Sequence, residues 1–191
     1  MKVSKDRSIA FAWFGFIGVA AFAIALICAE AIDTTWQFGV NYLSDLGISE
    51  TDASSYFNTG CLIAGILLAV FGIGRAAFPK NAGHIAGGVL IVFGSIAFAL
   101  IGVYTSDTGD THTFLAYTAV LFVFMAIVAV TVGNWIADRK VFAGVGVIVV
   151  LMLAAMALAY DAPKFEAYGI VLAMIWFVVE GINMIISSEK N

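Results

Sequence analysis

The stretch TFLAYTAVLFVFMAIVAVTVGNWIA, Thr113–Ala137, contains no charged side chain and decides the fold. At a helical rise of about 1.5 Å per residue, it is long enough to cross the roughly 30 Å hydrocarbon core of a bilayer. No water reaches that core, so every backbone N–H and C=O must find its partner inside the segment, and a helix provides it. Five more blocks of the same character flank it: Ser8–Ala29, Tyr56–Ile73, His84–Tyr104, Val141–Tyr160 and Phe165–Ile186. The sequence therefore predicts an all-α, polytopic transmembrane six-helix bundle. Residues 1–191 form one integral membrane domain, with helices at about 8–29, 56–73, 84–104, 113–137, 141–160 and 165–186.

Composition agrees. Hydrophobic residues make up 62% of the chain and charged residues 12%, and the mean hydropathy is +1.03. A soluble domain of this length has no need of so much apolar surface. Lys2, Lys5 and Arg7 precede the first block as they would in a signal peptide. Its apolar stretch exceeds the usual length of about 7–15 residues, and no small-residue cleavage site follows, so a retained helix is expected.

Charge sets the orientation. With six spans, Lys2, Lys5, Arg7, Arg75, Lys80, Arg139, Lys140 and Lys190 fall on one side, and Lys164 alone on the other. The positive-inside rule makes the first side cytoplasmic, with both termini there, in a cell membrane. The outer side carries Glu30, Asp33, Asp45, Glu50, Asp52, Asp107, Asp110, Asp161 and Glu166. An acidic face excludes nucleic acid and disfavours anionic headgroups as outer partners. The bilayer itself is the expected surrounding.

Short connections elsewhere predict antiparallel neighbours in a compact bundle. Glycines are abundant, 19 in all, and small-xxx-small pairs such as Gly83/Gly87 and Gly60/Ala64 suit close helix approach. Glycine-lined faces of this kind also suit homo-oligomer assembly. Trp36, Tyr42, Tyr56, Tyr104, Tyr160 and Tyr168 are expected in an outer aromatic belt, with Trp135 and Trp176 toward the inner boundary.

The first connection, Glu30–Ser55, is far longer than a helix turn requires. Its middle, Trp36-Gln37-Phe38-Gly39-Val40-Asn41-Tyr42-Leu43-Ser44-Asp45-Leu46-Gly47, interleaves apolar and polar residues, which suits a structured outer loop at the headgroup level or folded into the bundle mouth. The run Asn41-x-x-Ser44-Asp45-Leu46-Gly47, followed by Phe57-Asn58-x-Gly60 and by His112 at the start of the fourth helix, resembles the domain of unknown function 998 family. Those are six-helix integral membrane proteins of archaea and bacteria. The resemblance spans nearly the whole chain and implies that fold, while carrying no activity. The chain departs from the family pattern in Thr105–Thr111, where a proline is expected and none is found.

Asn41, Ser44, Asp45, Asn58 and His112, with Glu30 at the end of the first helix, are the candidate lining of an outer-facing polar cavity. The first functional reading is binding, or less directly transport, of a lipid or small polar molecule there. The second is a membrane-embedded lipid- or headgroup-modifying hydrolase, with Asp45 and His112 as acid–base pair acting on Ser44 or on a water. The structural alternative has His112 cap the fourth helix and Asp45 bond backbone amides in its own loop. The third is an accessory subunit of a membrane complex. His84 and His112 fall on opposite sides, about 30 Å apart, so they share neither a zinc ion nor a haem iron, and neither metal nor cofactor is expected. Cys28 and Cys61 lie at similar depth, as a disulfide or as two buried thiols. Glu180 is an intramembrane charge, either paired with Arg75 or Arg139 or acting as a proton-relay site near His84.

Overall fold

The computed structural model describes residues 2–78 and 81–189. Lys80 and Lys190, which enter the charge count above, lie outside the described residues. The described residues form six long α-helices: α1 (Lys2–Ile32), α2 (Ala53–Ala77), α3 (Ala82–Ile101), α4 (Asp110–Ile136), α5 (Lys140–Ala159) and α6 (Ala162–Glu189). All six are long and apolar enough to span a membrane. No strand occurs among the described residues. Consecutive helices pack side by side and α6 returns to α1, closing a ring. The end bearing the α1–α2 connection is termed the loop end, and the opposite one the terminal end.

Most helices overrun their apolar blocks. Helical hydrogen bonding continues through polar residues at the bilayer boundary, whereas hydropathy sees only the core of each span. Local chemistry then sets the stops. Asn81 caps α3 by accepting the His84 amide at 2.9 Å, and Asp161 accepts the Lys164 amide at 3.2 Å at the start of α6, where Pro163 sits in the first turn. Helix α3 ends earlier than its apolar block, at Ile101, because Gly102–Tyr104 turn away into the next connection. At the end of α4, Asp138 takes a left-handed φ of 57°, its amide bonds Trp135 O at 3.1 Å, and the Arg139 amide bonds Asn134 O at 2.8 Å. That pair of bonds is a Schellman motif, and it reverses the chain directly into α5.

Close approach is built with glycine. A Cβ on Gly72 would stand 2.8 Å from Gly88 O, and one on Gly83 would stand 2.6 Å from the Gly133 Cα. The Gly83/Gly87 face is therefore used within the protomer, against α4, and the contact it supports is α3–α4 packing. The main core draws Ala12, Phe71, Ile91, Ile127, Val149 and Trp176 from all six helices. Outward-facing side chains such as Ile24, Phe114 and Leu158 are exposed and apolar, the surface that lipid chains cover.

The aromatic belt needs two corrections. Trp36 and Trp176 are buried, in the loop-end and main cores, because each indole is enclosed by neighbouring helices. The five tyrosines named above remain exposed, as does Trp135, over whose ring the Lys140 ammonium sits at 3.8 Å. Cys28 and Cys61 are both free thiols.

Candidate functional site

The long connection is a strap that plugs the loop end. Its apolar residues Trp36, Leu43 and Leu46 pack with Phe22, Leu26 and Phe57. The Trp36 indole donates to Tyr42 O at 2.8 Å, and Leu43–Ile48 form a short 3-10 turn. Three neighbours fasten it. Asn58 Nδ2 on α2 donates to Gly47 O at 2.9 Å, Glu166 Oε2 on α6 accepts the Leu43 amide at 3.0 Å, and Ser106 Oγ from the α3–α4 connection donates to Ser44 O at 3.0 Å.

The residues read from sequence as an outer site are mostly engaged in holding this strap. Asn41 Oδ1 accepts the Gln37 amide at 2.9 Å, and Asp45 Oδ2 accepts the Tyr42 amide at 3.0 Å. His112 Nδ1 lies 2.8 Å from Tyr104 O. A carbonyl only accepts, so this nitrogen carries the proton and Nε2 is the basic one. Ser106 brings the α3–α4 connection against Ser44, while no hydrogen bond joins His112 to Ser44 or Asp45 among the described residues. Glu30 is exposed at the end of α1. Asp33, on the strap, accepts Thr35 Oγ1 at 2.6 Å and Ser49 Oγ at 2.7 Å, and these bonds hold its carboxyl below the usual carboxylate range.

The loop-end half of α4 presents a shallow, open groove of about 420 Å³. It begins at Asp110 and Thr113, continues over Phe114, Tyr117 and Thr118, and ends on Leu121 and Phe122. These positions recur every three or four residues, so they form one stripe on the helix. Phe114 is 69% and Tyr117 73% exposed. The stripe runs from a carboxylate through mixed hydroxyl and aromatic side chains to the apolar Leu121 and Phe122, an order that matches the polarity of a single lipid.

A second polar constellation lies inside the bundle toward the terminal end. Glu180 sits nine residues before the end of α6, about 13 Å along its axis. Its carboxylate accepts Asn134 Nδ2 at 2.7 Å and Asn183 Nδ2 at 3.1 Å, and lies 3.4 Å from Arg75 Nη2. Asn134 Oδ1 accepts Arg75 Nη2 at 3.0 Å and Asn183 Nδ2 at 2.8 Å, and His84 Nε2 lies 3.0 Å from the same oxygen. With Asn134 Nδ2 committed to Glu180, its oxygen faces the imidazole, so His84 Nε2 carries a proton. Arg75, His84, Asn134, Glu180 and Asn183 are each 0–1% exposed. Four helices meet in this junction, α2, α3, α4 and α6.

The sequence reading singled out Glu180, Arg75 and His84 but missed Asn134, Asn183 and the strap-holding Glu166. Asn183 was legible as the i+3 neighbour of Glu180 on one helix face. Asn134, at the end of an uninterrupted apolar run, carried no spacing signal.

No curated protein and no solved structure matches the chain. A family model described as Protein of unknown function (DUF998) matches residues 16–183. Six apolar spans, the strap and this match over most of the length lead to one conclusion: the chain is an integral membrane protein that belongs to the DUF998 family.

Proposed function

We propose that this chain is a multi-pass protein of the cell membrane, termini in the cytoplasm, that binds one lipid at its loop end. The lipid bears an amine headgroup, zwitterionic overall, and lies along α4 with its ammonium at Asp110. The observation that carries this reading is the polar-to-apolar order of the α4 groove. Charge supports it as well. Asp107 and Asp110 stand together in the sequence at this end, and Lys164, the one basic residue there among the described residues, is engaged by Asp161 at 3.0 Å. Anionic headgroups meet repulsion at such a surface, while an ammonium gains a carboxylate and neighbouring aromatic faces. Binding, rather than transport, is the form this groove supports, because it lies on the flank of the bundle.

The test is thermal unfolding in detergent with added phosphatidylethanolamine or phosphatidylglycerol. The reading expects a rise in Tm with the first lipid and little with the second, and loss of that selectivity in Asp110→Asn. Equal stabilisation by both lipids would overturn it. Asp110 and Tyr117 are exposed, so their variants are expected to fold.

A second reading, hydrolysis of a headgroup, has one observation in its favour: Tyr104 O fixes the His112 tautomer with Nε2 basic. It expects that His112→Gln abolishes release of a headgroup from vesicle lipid, whereas the binding reading leaves such lipid intact with the native protein.

A further inference from the structure

We infer that the buried junction of Arg75, His84, Asn134, Glu180 and Asn183 is a proton-binding site in which His84 takes up the proton and helix packing responds. The inference is separate from the lipid groove, which lies at the opposite end of the bundle.

Ionisable side chains inside a membrane span are expensive to keep there, so a cluster of three is a functional site by default. Each member here has a distinct role. The Glu180 carboxylate and the Arg75 guanidinium, 3.4 Å apart, neutralise one another. Protonating Glu180 would break its ion pair with Arg75, whereas the imidazole takes up a proton with that pair intact. The incoming proton binds a ring nitrogen of His84, turning neutral imidazole to imidazolium, and no other bond is made or broken.

Asn134 makes this uptake felt. Its Oδ1 already receives Arg75 Nη2 and His84 Nε2, both at 3.0 Å. Two cations would then share one neutral oxygen, and the like charges repel at short range. Among the described residues, the following further charges bear on the junction. Glu180 attracts the imidazolium through Asn134, and Arg139, half-buried in the α4–α5 connection and within electrostatic reach of Glu180 and Arg75, opposes it. From α1, Asp6 and Arg7 are exposed, and near α5 Lys140 lies against Asp138 at 3.4 Å. The predicted response is loosening where α2, α3 and α4 converge. Gly133 keeps the imidazole against α4, since a Cβ there would stand 2.8 Å from His84 Nε2.

The chain has only two histidines, which makes the test clean. The protein labelled with 15N-histidine is followed by NMR in nanodiscs from pH 4.5 to 9, and the His84 signals are assigned by their loss in His84→Gln. The inference expects the His84 signals to titrate, the midpoint to move by about one pH unit or more in Glu180→Gln, and His112 to be unchanged. Hydrogen exchange at the terminal ends of α2 and α4 should rise severalfold across the same transition. If Glu180→Gln does not fold, Arg75→Gln/Glu180→Gln removes both charges and serves the same comparison. A His84 that keeps one protonation state throughout, or a midpoint indifferent to Glu180, overturns the inference, as does titration without any change in exchange.

Discussion

Arg75 and Glu180 each carry a formal charge into the bundle interior, and each is tolerable only because of the other. Removing one partner strands a buried charge, so Arg75→Leu or Glu180→Leu alone should cost about 3–5 kcal/mol. The double replacement should recover most of that loss, which denaturant unfolding in detergent would measure. Asp33 sets a different kind of dependence. Its carboxyl is held low by Thr35 and Ser49, so its contribution is present above the ordinary carboxylate range and is lost as pH falls through the depressed value. Amide exchange in the strap should therefore accelerate on acidification, and Asp33→Asn should flatten that response. At this scale the sequence was partly legible. A lone Glu180 in an apolar helix announces a partner, but Asn134 is neutral and its role depends on helices distant in the chain.

At the scale of elements, the strap and the α4–α5 reversal are the informative pieces. Leu46 of the strap is fully buried, so Leu46→Ala should destabilise by about 2–5 kcal/mol through the cavity it leaves, seen as a lower unfolding midpoint. Asp138 holds a left-handed conformation that costs a residue bearing a Cβ about 1 kcal/mol or more. Asp138→Gly should therefore raise stability by about that amount, its exposed pair with Lys140 contributing little. The six spans were legible because apolar length alone specifies them. Helix ends were not, since capping by Asn81 and Asp161 and the turn after Ile101 are local chemistry that hydropathy does not register. The strap was legible as an interfacial segment from its interleaved residues. Its fastening to Glu166 was not, because that contact joins residues 123 positions apart.

At the scale of the whole molecule, a closed ring of helices divides the protein into two chemically unlike ends. The loop end is sealed by a strap whose polar residues serve its own folding, and a shallow, open groove lies on the loop-end half of α4. The terminal end contains the charged junction that binds four helices together. Membrane residence and family follow from length, hydropathy and the match over residues 16–183, and the chemical contrast between the two ends follows from three-dimensional contacts. The central claim is that the loop end takes a single amine-bearing lipid. Native mass spectrometry of the protein released from detergent, purified from a membrane containing both phosphatidylethanolamine and phosphatidylglycerol, tests it most directly. One added mass matching an amine-bearing lipid is expected, retained by Asp138→Gly and lost from Asp110→Asn. A bare protein, or adducts that track the lipid composition of the membrane and survive Asp110→Asn, would contradict it.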